Sequence, residues 1–294
     1  MPPGGKRIVL LGFMVVACAL AGIEVELAGA AGSGGIFYGA LRVVQVPKTG
    51  DGVTTKVMSC PSSHPSVTGG SAEITGDQSD LDLELKSSGP VSARGRDKWH
   101  FDLTNSSHSG AQGAAGPICA RGKFDYPRKN FQIGAQQEAQ ASVACPRGTR
   151  LAGGGVLAVA GDHRTEIGST APKGNGRHPN TWETTVNNGA HHAIGATVLA
   201  VCAEQGHYTV THSAQKPLPN NSQITAVAKC PAGSADSGGG VRVTGLNDGL
   251  EVAGSEAFDS ADPGATPDEG WQATANNDAS GRRETMQTFA VCKT

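Results

Sequence analysis

The segment ASVACPRGTRLAGGG, residues 141–155, opens a pattern of residues that occurs three times in the chain. It continues through TWETTVNNG at 181–189 and ends with TVLAVCA at 197–203, which adds Trp182, Asn188 and Cys202 to the opening Cys145. The upstream copy contains Cys60, Gly69, Gly70, Trp99, Asn105 and Cys119. The downstream copy contains Cys230, Gly238, Gly239, Gly240, Trp271, Asn277 and Cys292.

The spacing within the three copies is nearly constant. The first Cys recurs after 85 residues and again after another 85, and the Asn always lies six residues after the Trp. The last Cys follows the Asn by 14, 14 and 15 residues. Such self-similarity indicates that each copy forms the same supersecondary unit. We place the first, second and third repeats at residues 36–119, 120–202 and 203–294.

The composition excludes several classes of protein. The chain has 294 residues with 24 basic and 26 acidic side chains, so its net charge of -2 argues against a nucleic-acid partner. Aromatic residues make up only 4%, which leaves few platforms for stacking bases or sugars. The 42 glycines follow no three-residue period, so the chain is not collagen, and they separate short Val, Thr and Ala-rich runs as turn residues do.

The N-terminus has the pattern of an export signal. Lys6 and Arg7 precede an apolar run at 8–17, and small residues follow, so residues 1–30 are predicted to be a signal peptide and processing region. A Gly/Ser linker follows at 31–35, and no later segment is apolar enough to span a membrane. Cleavage before Gly22 or Ala31 would give a secreted protein. Cys18 follows a lipobox-like Val-Val-Ala, so lipidation there would instead anchor the protein at the cell surface.

The other six cysteines lie two per repeat. In an exported chain, paired cysteines at recurring spacing predict disulfides. Zinc sites use closely spaced ligands such as C-x-x-C, which this sequence lacks, so we expect no metal. The repeat favours the pairs Cys60–Cys119, Cys145–Cys202 and Cys230–Cys292.

Short alternating runs separated by turn residues predict an all-β fold. Thr181–Val186 places Trp182 and Thr184 on one face and Glu183 on the other, and no apolar pattern of helical period appears. The Cys-Pro step ends the preceding strand, because Pro cannot donate to a sheet ladder. By analogy within each repeat, Trp99, Trp182 and Trp271 are predicted core residues and Asn105, Asn188 and Asn277 are predicted turn residues.

The sequence allows two arrangements of the repeats. Each repeat is large enough to fold alone with a disulfide, which would give three small β-sandwich beads. Each also has one Trp and few Leu or Ile, so a separate core would be thin. Three antiparallel units packed around a pseudo-threefold axis, in a β-prism-like or trefoil-like arrangement, would bury more apolar surface, and this is the predicted architecture.

No catalytic or metal-binding constellation stands out in the sequence. The run Asp80–Leu85 alternates acidic and Leu residues, which favours a solvated strand face. The acidic loop Asp259–Glu269 has the shape of a calcium loop but not its spacing. The adjacent His191 and His192 point apart on an extended chain. We therefore predict no catalytic residue, no metal and no cofactor.

The Cys145-Pro-Arg-Gly148 motif, the three glycines, the Trp strand ending in Asn188 and the closing Val201-Cys202-Ala203 resemble repeats of exported actinobacterial proteins. The resemblance covers about residues 57 to 294, and it implies no enzymatic activity and no ligand. The first repeat departs from the motif, with Ser63 in place of the Gly and two glycines in place of three.

Every recurring residue has a packing, turn or disulfide role, which favours an exported, non-enzymatic protein. Such a protein would bind a surface glycan or protein, or form structure, at or outside the cell surface, and three equivalent faces would suit a multivalent binder. One alternative is a secreted hydrolase with its site in a diverged repeat, around His163, His191 and His192 or the acidic loop from Asp259. The other alternative is a secreted protease inhibitor that presents a rigid loop.

Overall fold

A computed structural model describes residues 30–31, 35–46, 53–75, 83–93, 96–105, 111–158, 165–174, 176, 178–244, 250–259, 269–277 and 284–294. These residues form β-strands joined by turns, and no helix among them is long and apolar enough to cross a membrane. The predicted all-β class is confirmed. Cys18, His163, Asp80, Asp82 and most of the acidic loop lie outside the described residues.

The strands follow one order in each repeat. The first repeat and the residues before it form β1 (Ala30–Ala31), β2 (Ile36–Tyr38), β3 (Arg42–Val46), β4 (Val53–Ser59), β5 (Ser66–Thr75), β6 (Leu83–Ala93), β7 (Arg96–Asn105) and β8 (Ala111–Ala120). The second forms β9 (Phe124–Asp125), β10 (Arg128–Ile133), β11 (Gln137–Ala144), β12 (Arg150–Ala158), β13 (Thr165–Pro172), β14 (Thr181–Asn188) and β15 (Ile194–Ala203). The third forms β16 (Tyr208–His212), β17 (Lys216–Leu218), β18 (Ser222–Lys229), β19 (Ala235–Thr244), β20 (Leu250–Phe258), β21 (Gly270–Asn277) and β22 (Glu284–Lys293).

The strands form three antiparallel sheets, and every sheet combines two repeats. Sheet A has the order β1-β2-β8-β5-β20-β21-β18, with β3 also paired to β8. Sheet B has the order β10-β15-β12-β6-β7-β4, with β9 on β15. Sheet C has the order β11-β14-β13-β19-β22-β16, with β17 on β22. The alternative of three separate beads is excluded, because no repeat builds a sheet alone.

Each sheet has a seam at which two repeats meet through a few paired residues. β5 pairs with β20 in sheet A, β6 with β12 in sheet B and β13 with β19 in sheet C. The seams lie at equivalent positions, so the three sheets close a ring with pseudo-threefold symmetry. One large buried cluster contains apolar residues of all three repeats, among them Leu103, Val156 and Val241.

The first glycines of the glycine runs meet where the three sheets approach most closely. A Cβ on Gly69 would lie 2.9 Å from the Cα of Gly238, and one on Gly153 would lie 2.1 Å from the carbonyl oxygen of Thr68. Only a residue without a side chain fits such a backbone-to-backbone approach. The glycine runs therefore allow three strands from three repeats to converge on the axis.

Each prism corner is the line along which two sheets meet, and each is built by a single repeat. In the first repeat, β3 on the edge of sheet A faces β4 on the edge of sheet B. The corresponding pairs are β10 with β11 and β17 with β18. We refer to them as the first, second and third corners. β4, β11 and β18 all end at the residue before a Cys-Pro step, as predicted.

Candidate functional site

The six paired cysteines link the sheets at the corners. The disulfides are Cys60–Cys119, Cys145–Cys202 and Cys230–Cys292, the pairs that the repeat favours. Each joins the residue after an edge strand of one sheet to a strand near the edge of the next, so that sheet A is linked to B, B to C and C to A. The cysteines therefore have a structural role, which is to hold the three sheets together.

The three Trp side chains are buried between sheets, with exposed fractions of 2%, 0% and 1% for Trp99, Trp182 and Trp271. Each ring occupies the space over the second glycine of its own repeat, where a Cβ would lie 2.2–2.3 Å from a ring atom. Each indole N–H donates to a hydroxyl 2.9 Å away, on Ser88, Thr170 or Ser255. Such fully enclosed rings cannot act as ligand platforms.

The three Asn side chains are buried as well and connect two sheets. Asn105 Nδ2 donates to the carbonyl oxygen of Val46 at 3.0 Å, and Asn277 Nδ2 to that of Leu218 at 3.1 Å. Asn188 Nδ2 reaches the carbonyl oxygen of Ile133 and also that of Gly134, at 2.9 Å. Each acceptor lies at or beside the end of β3, β10 or β17, so an Asn amide closes the end of each corner opposite the disulfide.

Three glutamates, which sequence reasoning did not single out, converge inside the prism. Glu84, Glu166 and Glu251 are the second residues of the equivalent strands β6, β13 and β20, and their carboxylate oxygens lie within 4.8 Å of one another. Glu84 is only 5% exposed, so the expectation of a solvated face was wrong there, because strands of the other two sheets pack around β6. A Glu that recurs after 82 and 85 residues was the available sequence signal. We call these residues the axial glutamates.

A lysine neutralises part of the charge of the axial glutamates. Lys86 is 3% exposed, and its ammonium group forms an ion pair with Glu84. The strand pairing places Gly168 and Ala253 at the equivalent bulge positions of the other repeats. Carboxylates in this arrangement could hold a cation, but the first repeat already supplies one in Lys86.

The outward face of each seam carries different chemistry. In sheet A, Gln272 donates to Glu256 at 3.0 Å, and burial together with the hydrogen-bonded Glu73 raises the pKa of Glu256 to about 8. In sheet C, the guanidinium of Arg242 lies 4.6 Å from the centre of the Phe289 ring. The outer faces of the seams therefore differ from one another.

Sheet B carries a histidine held by a buried carboxylate. His100 Nε2 lies 2.7 Å from Asp102, and Thr55 donates to the same carboxylate at 2.6 Å. Burial raises the pKa of Asp102, but the hydrogen bonds from His100 and Thr55 outweigh it, so the pKa is lowered overall. The carboxylate is thus kept charged and orients the imidazole.

A cleft opens at the first corner, between β3 and β4. Its volume is about 400 Å³, and its lining includes Phe37, Arg42, Val57, Met58, Pro61 and Pro117. We call it the corner cleft. A second cleft, where Arg150, His178 and Tyr208 come together, measures about 140 Å³. Of the two, only the corner cleft has the size of typical small-ligand sites.

Among the residues that the structure describes, the other candidates from the sequence form no site. His191 and His192 are exposed, and the backbone carbonyl of His192 accepts a hydrogen bond from Asn188. Among the described residues, neither of them belongs to a group of potential metal ligands. Asp259 and Glu269 are the described ends of the acidic loop. No protein-family model matches the chain, and no curated protein matches it at a significant level.

Proposed function

We propose that the chain acts outside the cell as a rigid protein that binds a partner through the corner cleft and catalyses no reaction. Its three disulfides support this location, because such bonds persist in oxidising compartments. The charged and apolar pattern of residues 1–30 supports export, with or without an acyl chain on Cys18.

The observation that carries the proposal is that the residues shared by the three repeats have structural roles. The shared cysteines, Trp and Asn form disulfides, fill space between sheets or bond the main chain across a corner. Residues that differ between the repeats are therefore the candidates for function, and the lining of the corner cleft includes several of them, among them Arg42, Met58 and Pro117. Because the corner cleft lies at the first corner, its use as the binding site favours one partner site over three equivalent ones.

The corner cleft is held in shape before any partner arrives. Cys60 belongs to its lining, and its disulfide to Cys119 fixes β4 against sheet A. Phe37 stacks on His64 with ring centres 5.4 Å apart. A preorganised site loses less conformational entropy on binding than a flexible one. Rigidity of this kind suits a binding protein, and the hydrolase and the protease inhibitor remain alternative predictions.

The test is retention of purified protein on cell-envelope and host-surface preparations. Wild type should be retained, and Arg42→Glu, which reverses the charge at the cleft, should be retained less. Lys129→Glu is the matched control, because Lys129 lies opposite Val198 in the second repeat as Arg42 lies opposite Ala115 in the first. No retention of wild type, or equal retention of Arg42→Glu, would count against the proposal.

Export can be tested separately by the intact mass of the protein recovered from cells and medium. A chain that starts at Gly22 or Ala31 and gains about six mass units on reduction, two per disulfide, would be freely secreted. A chain that starts at Cys18 with added acyl mass would be a surface lipoprotein. A full-length chain that keeps Met1 and stays inside the cell would contradict the proposed location.

A further inference from the structure

The corner cleft lies beside a bend at which the first repeat has one residue more than the second; the third repeat also has an extra residue, but further along its strand, between His212 and Lys216. Phe37 lies opposite Cys119 and Arg42 opposite Ala115, so five positions cover a stretch of four on β8. In the second repeat, Asp125 lies opposite Cys202 and Lys129 opposite Val198, and four positions cover four. The extra residue bends the chain at 39–41, where Gly39 N–H donates to the carbonyl oxygen of Pro117 at 2.8 Å. The bend separates β3 from β4.

The edge strands of the other two corners have contacts of their own. At the second corner, the short connection 134–136 joins β10 directly to β11, and Gln136 N–H donates to the carbonyl oxygen of Ala190. At the third corner, the ammonium group of Lys216 on β17 donates to the carbonyl oxygen of Thr225 on β18, at 2.9 Å.

The wall of the corner cleft is an edge strand. β4 pairs with β7 on one side, and no described strand pairs with its other side. Edge strands offer backbone donors and acceptors to any chain that lies alongside. On the opposite wall, Ala30 and Ala31 already add a short strand to β2. This corner therefore provides backbone groups for an extended segment.

The side chains that line the cleft determine which side chains a bound segment should have. Phe37, Met58 and Pro117 form the apolar part of its lining, and Val57 is the one large hydrophobic side chain that is exposed among the described residues, at 46%. Arg42 is exposed and supplies a guanidinium group, which has enough N–H donors for more than one partner. Apolar and acidic side chains are thus the complement of this cleft.

We propose that the corner cleft binds an extended peptide segment of a partner protein, which adds a strand to β4. An apolar side chain of the segment packs between Phe37 and Val57, and an acidic side chain pairs with Arg42. Main-chain hydrogen bonds supply affinity and the alternate side chains supply specificity, as in other cases of strand addition. This inference rests on the proposed function and names the chemistry of its partner.

A displayed library of random eight-residue peptides tests the inference. Selection on wild type, with counter-selection on Arg42→Glu, should enrich peptides that have apolar and acidic residues and no Pro at the centre. In fluorescence polarisation, Arg42→Glu and Val57→Asp should weaken these peptides by about tenfold or more. Lys129→Glu and Val227→Asp, at the equivalent positions of the other corners, should leave affinity within about twofold. Hydrogen exchange of the amides in Val53–Ser59 should slow on binding.

The inference is overturned if repeated selection enriches no peptide that prefers wild type, or if the enriched peptides bind Arg42→Glu and Val57→Asp equally well. Binding without protection of the β4 amides would also overturn strand addition. Failure here, combined with envelope retention that depends on Arg42, would leave the proposed function intact with a different kind of ligand, such as a glycan. Loss of both signals would reject both proposals.

Discussion

Replacing Lys86 by Met should destabilise the protein more than the loss of any exposed charge. Lys86 and its partner Glu84 are 3% and 5% exposed, and Glu166 and Glu251 lie beside them with carboxylate oxygens within 4.8 Å of one another. Met keeps most of the side-chain volume of Lys but removes the positive charge. The variant therefore leaves three clustered carboxylates without their lysine counter-ion.

The expected loss can be estimated from the burial of the pair. Breaking a buried ion pair costs about 3–5 kcal/mol of unfolding free energy, because the remaining charge is left uncompensated. The pair Lys173–Glu183 gives the matched control, since its atoms are 3.0 Å apart but the Lys173 side chain is 54% exposed. Breaking an exposed pair of this kind costs at most about 1 kcal/mol.

The assay is equilibrium unfolding in guanidinium chloride with the disulfides intact, followed by the fluorescence of the three buried Trp residues. Lys86→Met should lose about 3–5 kcal/mol and Lys173→Met about 1 kcal/mol or less. Adding Glu84→Gln to Lys86→Met should recover most of the loss, because it removes one of the uncompensated charges. Equal losses for Lys86→Met and Lys173→Met would refute the account of the axial glutamates.

Three further predictions concern the corners, the core and the dependence of stability on pH. Replacing Cys60 and Cys119 by Ala opens a covalent loop with a sequence separation of 59 and should cost about 4 kcal/mol in denaturant unfolding; an unchanged midpoint would contradict this. Gly154→Ala puts a Cβ 2.3 Å from the Trp182 ring and should cost about 1–3 kcal/mol or more, whereas Gly176→Ala, with no atom within 4 Å, should change stability by less than about 0.5 kcal/mol; similar melting temperatures for both would argue against tight Trp–Gly contact. The pKa of Glu256 is raised from 4.5 to about 8, so the folded protein keeps a proton that the unfolded chain releases, and stability should fall as pH rises through this range. Glu256→Gln should flatten that dependence, and an identical slope in the variant would show that another group is responsible.

Much of the framework could be predicted because its residues recur. Six cysteines at matching positions, two in each repeat, favour pairing within the repeats, and the structure has that pairing. The contact that ties Asn105 to Val46 could not be predicted in the same way. Its acceptor is a backbone carbonyl 59 residues away, and any residue type can supply a carbonyl.

Burial of Glu84 was missed for a different physical reason. Alternation in a single strand shows two faces, and an acidic face is normally solvated. Here strands of the other two sheets, β5, β13 and β20, pack around β6, so that both Glu84 and the next residue, Leu85, are buried. Strand exchange between repeats leaves no local mark in the sequence. The corner cleft could not be predicted from the sequence either. One extra residue before Arg42 changes the shape of the corner without altering any of the recurring motifs.

The seam between β5 and β20 has a consequence for the order in which the chain can fold. Ser255 pairs with Ala72, so the sheet that begins in the first repeat stays half built until the third repeat has left the ribosome. Each disulfide, in contrast, closes within its own repeat, over sequence separations of 59, 57 and 62. In an oxidising compartment the disulfide of each corner can thus form as soon as its own repeat has been made. The three sheets are completed later, when the last strands of the third repeat pair with the first and second repeats.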